Sequence, residues 1–402
     1  MSEERSRDVE TADVVVVGAG ANGTSTAFHL AKAGVKRVVV VERRYLGAGA
    51  TGKSGALVRM HYTNEPEVRL AFESLTYFQH WKEMVGGECG FQPLGLLVLT
   101  PPEYLAHLEA NLAMMHRVGV NTQIMSAQEA KELDPSLWIG DVTQVAYEPE
   151  SGFADPNATI YSLARASTDL GVTFQFETEV GRVLLSGNRV KGVETTQGTI
   201  LAPIVVIVAG AWANALFAPL GIDLGLVPRP GRVTVFRWPL ARSSRHLTYI
   251  DKLNRIWARP IDGNCTLVGT ESEPAEQGDP NHFSEAVSQD YIDLCRQQLS
   301  RRFPIMHQSV VRGNWACMLM ESPDSRPIIG RLDQYEGLYC MAGDSGTSFK
   351  TSPAIGKCLT ELITQGRATT VDLTPFRATR FAEGKPWRDE FNYGIETGTI
   401  SR

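Results

Sequence analysis

Residues 12–44 read Ala-Asp-Val-Val-Val-Val-Gly-Ala-Gly-Ala-Asn-Gly-Thr-Ser-Thr-Ala-Phe-His-Leu-Ala-Lys-Ala-Gly-Val-Lys-Arg-Val-Val-Val-Val-Glu-Arg-Arg. The run Val14 to Val17 is too short and too β-branched for a helix and predicts a strand buried on both faces. It leads straight into Gly18-x-Gly20-x-x-Gly23. Gly18 permits the tight turn from strand to helix, Gly20 lets the backbone approach a pyrophosphate, and Gly23 lets the helix lie close on the strand. That helix presents its N-terminus to the phosphate. Ala27, Phe28, Leu30 and Ala31 line one face of it, Gly34 supplies a stop, and Val38 to Val41 predict a second buried strand. The strand ends at Glu42, nineteen residues beyond Gly23, where an acid hydrogen-bonds a ribose hydroxyl. Strand, glycines, helix, strand and acid in this order predict a dinucleotide site. Arg43 and Arg44 could hold the 2′-phosphate of NADP, but Glu42 would repel it, so FAD or NAD is favoured.

The remaining composition narrows the function classes. A chain of 402 residues is long enough for two domains or one interleaved pair, and 43% hydrophobic with 21% charged residues is ordinary for a globular protein. A net charge of −6 makes neither nucleic acid nor an anionic membrane an obvious partner. No apolar run approaches the roughly 18 residues of a membrane-spanning helix. The stretch Ser2 to Asp8 lacks the basic-then-apolar order of a signal peptide, which points to the cytoplasm. Six cysteines are scattered at 89, 265, 295, 317, 340 and 358 with no CxxC pair and no zinc spacing, so no metal site is expected and each reads first as a small buried residue.

Further along, Gly47 to Tyr62 is a glycine-rich loop through Thr51-Gly52-Lys53-Ser54-Gly55 that ends in Arg59, His61 and Tyr62, a composition suited to wrapping cofactor or substrate. Apolar spacing predicts a core-facing helix over 65–85, a strand over Phe91 to Leu99, helices with loops over 103–140, and a helix capped by Asp155-Pro156 to about 169. From Val172 short strands follow, with a hairpin turn at Ser186-Gly187-Asn188 and another buried run at Ile204 to Val208. Residues 226–270 read as strands, Glu285 to Arg302 as a helix, Leu338 to Met341 as a strand and Ala354 to Thr364 as a final helix. With no repeat and no clean linker, the domains are expected to interleave.

Four stretches in the same order resemble the FAD-dependent amine oxidoreductases related to D-amino-acid oxidase, and most closely the sarcosine oxidase branch and the β subunits of its multi-subunit relatives. They are Gly18 to Glu42, Gly47 to Tyr62, Val205 to Trp212, and Pro323-Asp324 through Lys350. The resemblance implies an α/β fold, α+β overall, with a Rossmann-like FAD-binding domain over 10–90, 150–225 and 320–375. Interleaved with it would be an antiparallel-sheet substrate domain over 91–149 and 226–319, followed by a tail at 376–402. It also implies cofactor contacts from Gly18, Gly20, Gly23, Glu42, Arg43, Thr51, Gly52, Lys53, Ser54, Gly55, Val180, Gly210, Gly343, Gly346, Thr347, Ser348 and Lys350. Asp344 stands where many relatives carry an apolar or aromatic residue. Cys317, seven residues before Asp324, has the spacing of the cysteine that links covalent flavin in the sarcosine oxidase branch. Its thiolate would be the nucleophile.

The implied reaction is oxidation of the C–N bond of a small amino acid or N-methylamino acid to an imine, with hydrolysis following in water. Arg59 and Lys350 are expected at a substrate carboxylate, with His61 beside them, because two cations desolvated together need an anion. Oxidases of the branch place a lysine near the flavin from the strand that here reads Gly263 to Gly269, which has none. Either Lys53 or another group substitutes, or the natural acceptor is not oxygen. Two alternatives stand at this point: an NAD-dependent dehydrogenase, and an FAD-bearing subunit that passes electrons within a complex rather than to oxygen.

Overall fold

The computed structural model describes residues 9–239, 246–261, 264–272 and 277–388. The N-terminal segment 1–8, Gly263 of the lysine-free strand, and residues 389–402 of the tail lie outside the described residues.

The two valine runs form adjacent parallel strands, Val14–Val17 and Val38–Val41, paired residue for residue. All eight side chains are buried, since helices cover one face of the sheet they belong to and a smaller four-stranded sheet with the short helix Ala213–Phe217 covers the other. That sheet has six strands in the order Ile328–Arg331, Leu338–Ala342, Ile204–Ile207, Val14–Val17, Val38–Val41 and Thr173–Gln175. Only the first pair is antiparallel. Helix Ala21–Lys32 crosses the sheet against Pro156–Asp169 and Ser352–Gln365. A smaller four-stranded sheet, Val9–Thr11, Gly198–Leu201, Arg189–Thr195 and Val180–Ser186, flanks this layer.

The second layer is an eight-stranded sheet in the order Val310–Glu321, Val227–Arg237, Cys265–Thr270, Ile256–Ile261, Thr248–Asp251, Leu96–Leu99, Gln144–Glu148 and Gln123–Ser126. Its neighbours are antiparallel except Thr248–Asp251 with Leu96–Leu99. Alternation divides its side chains between two cores. Phe236, Trp238 and Val268 meet helix Gln289–Arg302 on one face. Val233, Val235, Trp257 and Leu267 meet the core of helices Glu65–Gln79 and Leu105–Val118 on the other. The chain enters and leaves the two sheets several times, which is the interleaving that the missing linker anticipates.

Several elements depart from the sequence expectations. The strand expected from Phe91 begins at Leu96, after Gly95 turns with φ +90°. The helix expected over 65–85 is capped by Asn64 but breaks at His80, leaving Trp81–Met84 as a separate turn. Within 103–140 there is a strand, Gln123–Ser126, whose last residue closes a capping box on the next helix. The helix expected from Glu285 begins at Gln289, where Ser288 accepts from the Tyr291 amide. The preceding residues run across the surface instead. Strands Gln144–Glu148 and Val310–Glu321 were not visible in the pattern.

Candidate functional site

One long cavity runs from the valine strands to the eight-stranded sheet. At its first end Gly18 adopts φ +111°, and a Cβ there would lie 2.6 Å from the Val208 carbonyl oxygen. A Cβ on Gly23 would lie 1.9 Å from the Gly18 carbonyl oxygen, so the helix can approach the strand only as glycine. The helix that follows has Gly20 as N-cap, no capping side chain and no acid in its first turn. Its positive end therefore faces the cavity with no charged cap, an arrangement suited to an anion. Thr51 closes the opposite wall by accepting from the Ala21 amide at 3.1 Å.

Glu42 lines the same end, with one carboxylate oxygen accepting from Ala19 N at 3.0 Å and the other from Arg44 N at 2.9 Å. Val180 and Gly210, the latter at φ +52°, complete this wall. Asn22 Oδ1 is buried without a hydrogen-bond partner, while its amide nitrogen donates to Ser348 Oγ at 2.9 Å. An orphaned acceptor beside an uncapped helix and a glycine cradle fits an anionic ligand that carries donors, as a dinucleotide does.

The C-terminal loop is shaped by its own polar groups. Ser348 Oγ donates to Asp344 at 2.6 Å and the Gly346 amide donates to it at 3.3 Å. Asp344 thus caps its own turn. Gly343, at φ +62°, packs where a Cβ would meet Ser322 Cβ at 2.8 Å. Behind Ser322 lies a buried ion pair in which Arg380 Nε and Nη2 each donate to Asp324 at 2.8 Å, while the amides of Arg326 and Trp387 also donate to that carboxylate. Burial alone would raise the Asp324 pKa, but Arg380 and these amides more than offset it and hold the carboxyl below its ordinary range.

At the sheet end the walls turn apolar and aromatic: Val233, Trp257, Trp315, Leu57 and Phe349 line the cavity with Lys53 and Cys317. Trp257 is wedged where a Cβ on Gly55 or Gly269 would come within 2.3 and 2.7 Å of its ring. Trp315 Nε1 donates to the Lys53 carbonyl at 2.9 Å. The Lys53 ammonium forms an ion pair with Glu285. Cys317 lies within strand Val310–Glu321, and burial pushes its thiol up to about 12 although Lys53 pulls the other way.

Arg59 and Lys350 do come together. Their charged groups lie 4.4 and 5.2 Å from the centroid of the Tyr62 ring, and Lys350 Nζ donates to Thr347 O at 2.8 Å. Both are buried, and neither they nor His61 and Thr347 are among the residues that line the cavity. Ala56, Leu57 and Phe349, close to them along the chain, do. His61 is fully buried 3.7 Å from Glu148, and burial, with Lys252 and Arg59 nearby, holds its pKa well below the usual value. Burial pushes Glu148 the other way, up, against the hydrogen bonds from Ser151 and the Met60 amide.

Gly18, Gly20, Glu42, Arg43, Thr51, Lys53, Ser54, Gly55, Val180, Gly210, Cys317, Gly343, Gly346 and Ser348 thus line the cavity, whereas Gly23 and Gly52 pack just behind it. Asn22, Trp257, Trp315, Asn281 and Glu285 were not singled out from the sequence. Asn22 carries a weak signal as a polar residue inside the glycine motif. The others carry none, because their neighbours come from distant strands. Among the described residues no group of His, Cys, Asp and Glu could hold a metal ion, and no helix is long and apolar enough to cross a membrane.

The model of the family described as DAO, FAD dependent oxidoreductase, matches residues 13–362. Sarcosine oxidase subunit beta of Rhodobacter capsulatus is 25% identical over 93% of this chain and 89% of its own length. Glycine oxidase of Geobacillus kaustophilus is 27% identical over 92% of this chain and 97% of its own. Among solved structures, that of L-proline dehydrogenase from P. horikoshii superposes with a TM-score of 0.87 at 27% identity, covering 94% of this chain and 100% of the other.

Proposed function

The chain belongs to the DAO family of FAD-dependent oxidoreductases, and we propose that within it this protein oxidises the C–N bond of a small amino acid or N-methylamino acid, such as a sarcosine-like secondary amine. FAD rather than NAD is the cofactor of the family, so the nicotinamide alternative is set aside. The observation that carries the reading is the continuity of the cavity, from a glycine-and-acid end suited to a dinucleotide to an apolar aromatic end suited to a small organic substrate.

In this reading Gly18, Gly20, Asn22 and Thr51 hold the pyrophosphate side and Glu42 a ribose, with Arg43, Val180 and Gly210 around the nucleotide. Ser54, Gly55, Gly343, Gly346 and Ser348 enclose the ring. When bound, FAD supplies the two-electron oxidation of the amine to an imine. Trp257, Trp315, Val233 and Phe349 exclude water and fix the substrate carbon. Arg59 and Lys350 act as a buried positive field behind that wall and bias the chamber toward an amine that carries a carboxylate. The substrate classes named for the similar proteins, sarcosine, glycine and proline, are all small amino acids and support this choice. A panel of amino acids, N-methylamino acids and their decarboxylated counterparts, scored by loss of flavin colour without oxygen, tests it.

A second reading concerns the electron acceptor. Lys53 is already neutralised by Glu285, and the described strand Cys265–Thr270 has no lysine, which disfavours stabilisation of a superoxide anion. This favours a dehydrogenase, and the likeness to a sarcosine oxidase β subunit favours membership of a larger assembly. Hydrogen peroxide release compared with dye reduction during turnover separates the two. Covalent attachment through Cys317 stays part of the proposal, since Cys317 lines the cavity. Acid precipitation tests it: yellow colour in the pellet, absent from Cys317→Ser, supports the bond.

A further inference from the structure

We propose that residues 278–285 form a strap that closes the cofactor cavity, making Asn281 and Glu285 cofactor-retaining residues contributed by the segment between the eight-stranded sheet and its covering helix. The proposal rests on the reading of this cavity as the FAD site.

The strap is anchored at both ends and in the middle. At its start the Gly278 amide donates to Pro228 O at 2.9 Å. A Cβ on Gly278 would lie 2.5 Å from Met318 Cε, so the segment lies flat on the edge of the eight-stranded sheet. Asp279 then forms a turn, accepting from the Asn281 amide at 2.8 Å and sitting 2.8 Å from His282 Nδ1. That turn aims the Asn281 side chain across the cavity toward the six-stranded layer. Its Oδ1 accepts from Arg43 Nη1 at 3.0 Å and from Trp212 Nε1 at 2.8 Å. The Arg43 guanidinium lies 5.1 Å from the Trp212 ring centroid, which makes the receiving side one unit. At the far end Glu285 O accepts from the Ala316 amide at 3.1 Å, and the Glu285 carboxylate pairs with Lys53. Phe283 faces the same ammonium, at 6.0 Å.

Arg43, Trp212, Asn281 and Lys53 all line the cavity. The strap therefore fastens the substrate-side sheet to the dinucleotide-side layer through residues of the site itself. On this proposal a ligand that fills the cavity leaves faster once these contacts part. Asn281 and Glu285 are themselves exposed, so their contacts add little to the stability of the fold. Their consequence falls on the rate at which the cavity opens. Asn281, which accepts from a charged donor, is the stronger fastening, and the exposed Glu285 pair the weaker.

The test uses the full-length holoprotein in the Cys317→Ser background, so that no covalent bond hides release. Free-flavin fluorescence after dilution gives the FAD dissociation rate, and the melting temperature of the apoprotein is measured beside it. Asn281→Ala should release FAD about tenfold faster, the size of one lost hydrogen bond to a charged group. Adding Glu285→Gln should speed release further. Asn281→Asp, which keeps the acceptor, should restore slow release, and no apoprotein should melt differently from its parent. Parental release rates in Asn281→Ala and in the double variant, with faster release in Glu42→Ala, overturn the strap and leave the site reading standing. If Glu42→Ala is equally silent, the site reading fails and takes the strap with it.

Discussion

The dinucleotide end and the substrate end of this cavity are built in opposite ways. Most of the first comes from one contiguous stretch, where Val14–Val17, the glycines, the helix and Glu42 follow one another within 30 residues and the hydrogen bond from Ala19 N to Glu42 ties the stretch to itself. The second is assembled from strands far apart in the chain: Lys53 meets Glu285, Trp257 seals Gly55, and Trp315 donates to Lys53. A local unit depends on backbone geometry that only glycine permits. A distributed unit depends on the whole fold holding its parts in register.

If that contrast is right, the largest effect should come from breaking the fold-wide scaffold rather than either wall. Arg380 reaches Asp324 from the segment after the last helix and fixes the turn behind Gly343. Arg380→Met leaves a buried carboxylate without its partner, so about 3–5 kcal/mol of stability should go. The Asp324 pKa is depressed in the folded state, so the stability it contributes is present above its unfolded value and lost as pH falls through the folded one. Urea unfolding at neutral and acid pH checks both, and a variant as stable as the parent would show the pair to be idle.

Next in size is the buried field of the substrate end. Arg59→Ala should raise KM by one to two orders of magnitude for a carboxylate-bearing substrate, in line with roughly 2–3 kcal/mol for a unit charge acting through the wall without contact at an effective dielectric of about 20. The effect on an amine without a carboxylate should be small. Equal losses on both substrates would make Arg59 a structural cation and dissolve the distinction between the two ends.

The local unit should respond more mildly and in a different observable. Glu42→Ala removes an acceptor for a ribose hydroxyl and for the Ala19 and Arg44 amides, at about 1–3 kcal/mol. FAD content after dialysis should fall while KM of the residual holoprotein holds. Unchanged FAD retention counts against the assignment.

The smallest effect is a slope. His61 is held neutral by burial, well below its ordinary pKa, and His29 is likewise pushed down to about 3. The unfolded chain binds these protons near pH 6.5 and the folded chain does not, so stability drops as pH falls below that value by about 1.4 kcal/mol per unit for each such histidine. His61→Asn should flatten the decline between pH 7 and 5 by one proton. An unaltered slope would show that His61 already titrates in the folded state.

The same contrast explains what the sequence could and could not reveal. The first unit was legible because every residue in it answers to a neighbour a few positions away: two valine runs, three glycines and an acid at fixed spacing. The glycine-rich loop and the stretch from Pro323 to Lys350 were legible as site-forming for the same reason. Lys53 was visible as a cation in a loop, but its partner lies 232 residues away, in a segment whose charge and apolar spacing suggested the start of a helix. Ser288, capping the Tyr291 amide, starts that helix at Gln289 instead and leaves Glu285 to reach Lys53. Arg59 and Lys350 were legible as a pair, yet nothing in their spacing tells that both pack on the Tyr62 ring and that neither lines the cavity. Trp257 is one aromatic among many until the strand pairing sets it over Gly269.

Oxidation of a carboxylate-bearing amine at this site is read from an anaerobic titration of the purified protein with a small amino or N-methylamino acid, followed by its visible spectrum. The purified protein should be yellow, with a flavin absorption that bleaches with the carboxylate-bearing amine and keeps its colour with the decarboxylated counterpart. A colourless protein, or a flavin that no amino acid reduces, would contradict this activity.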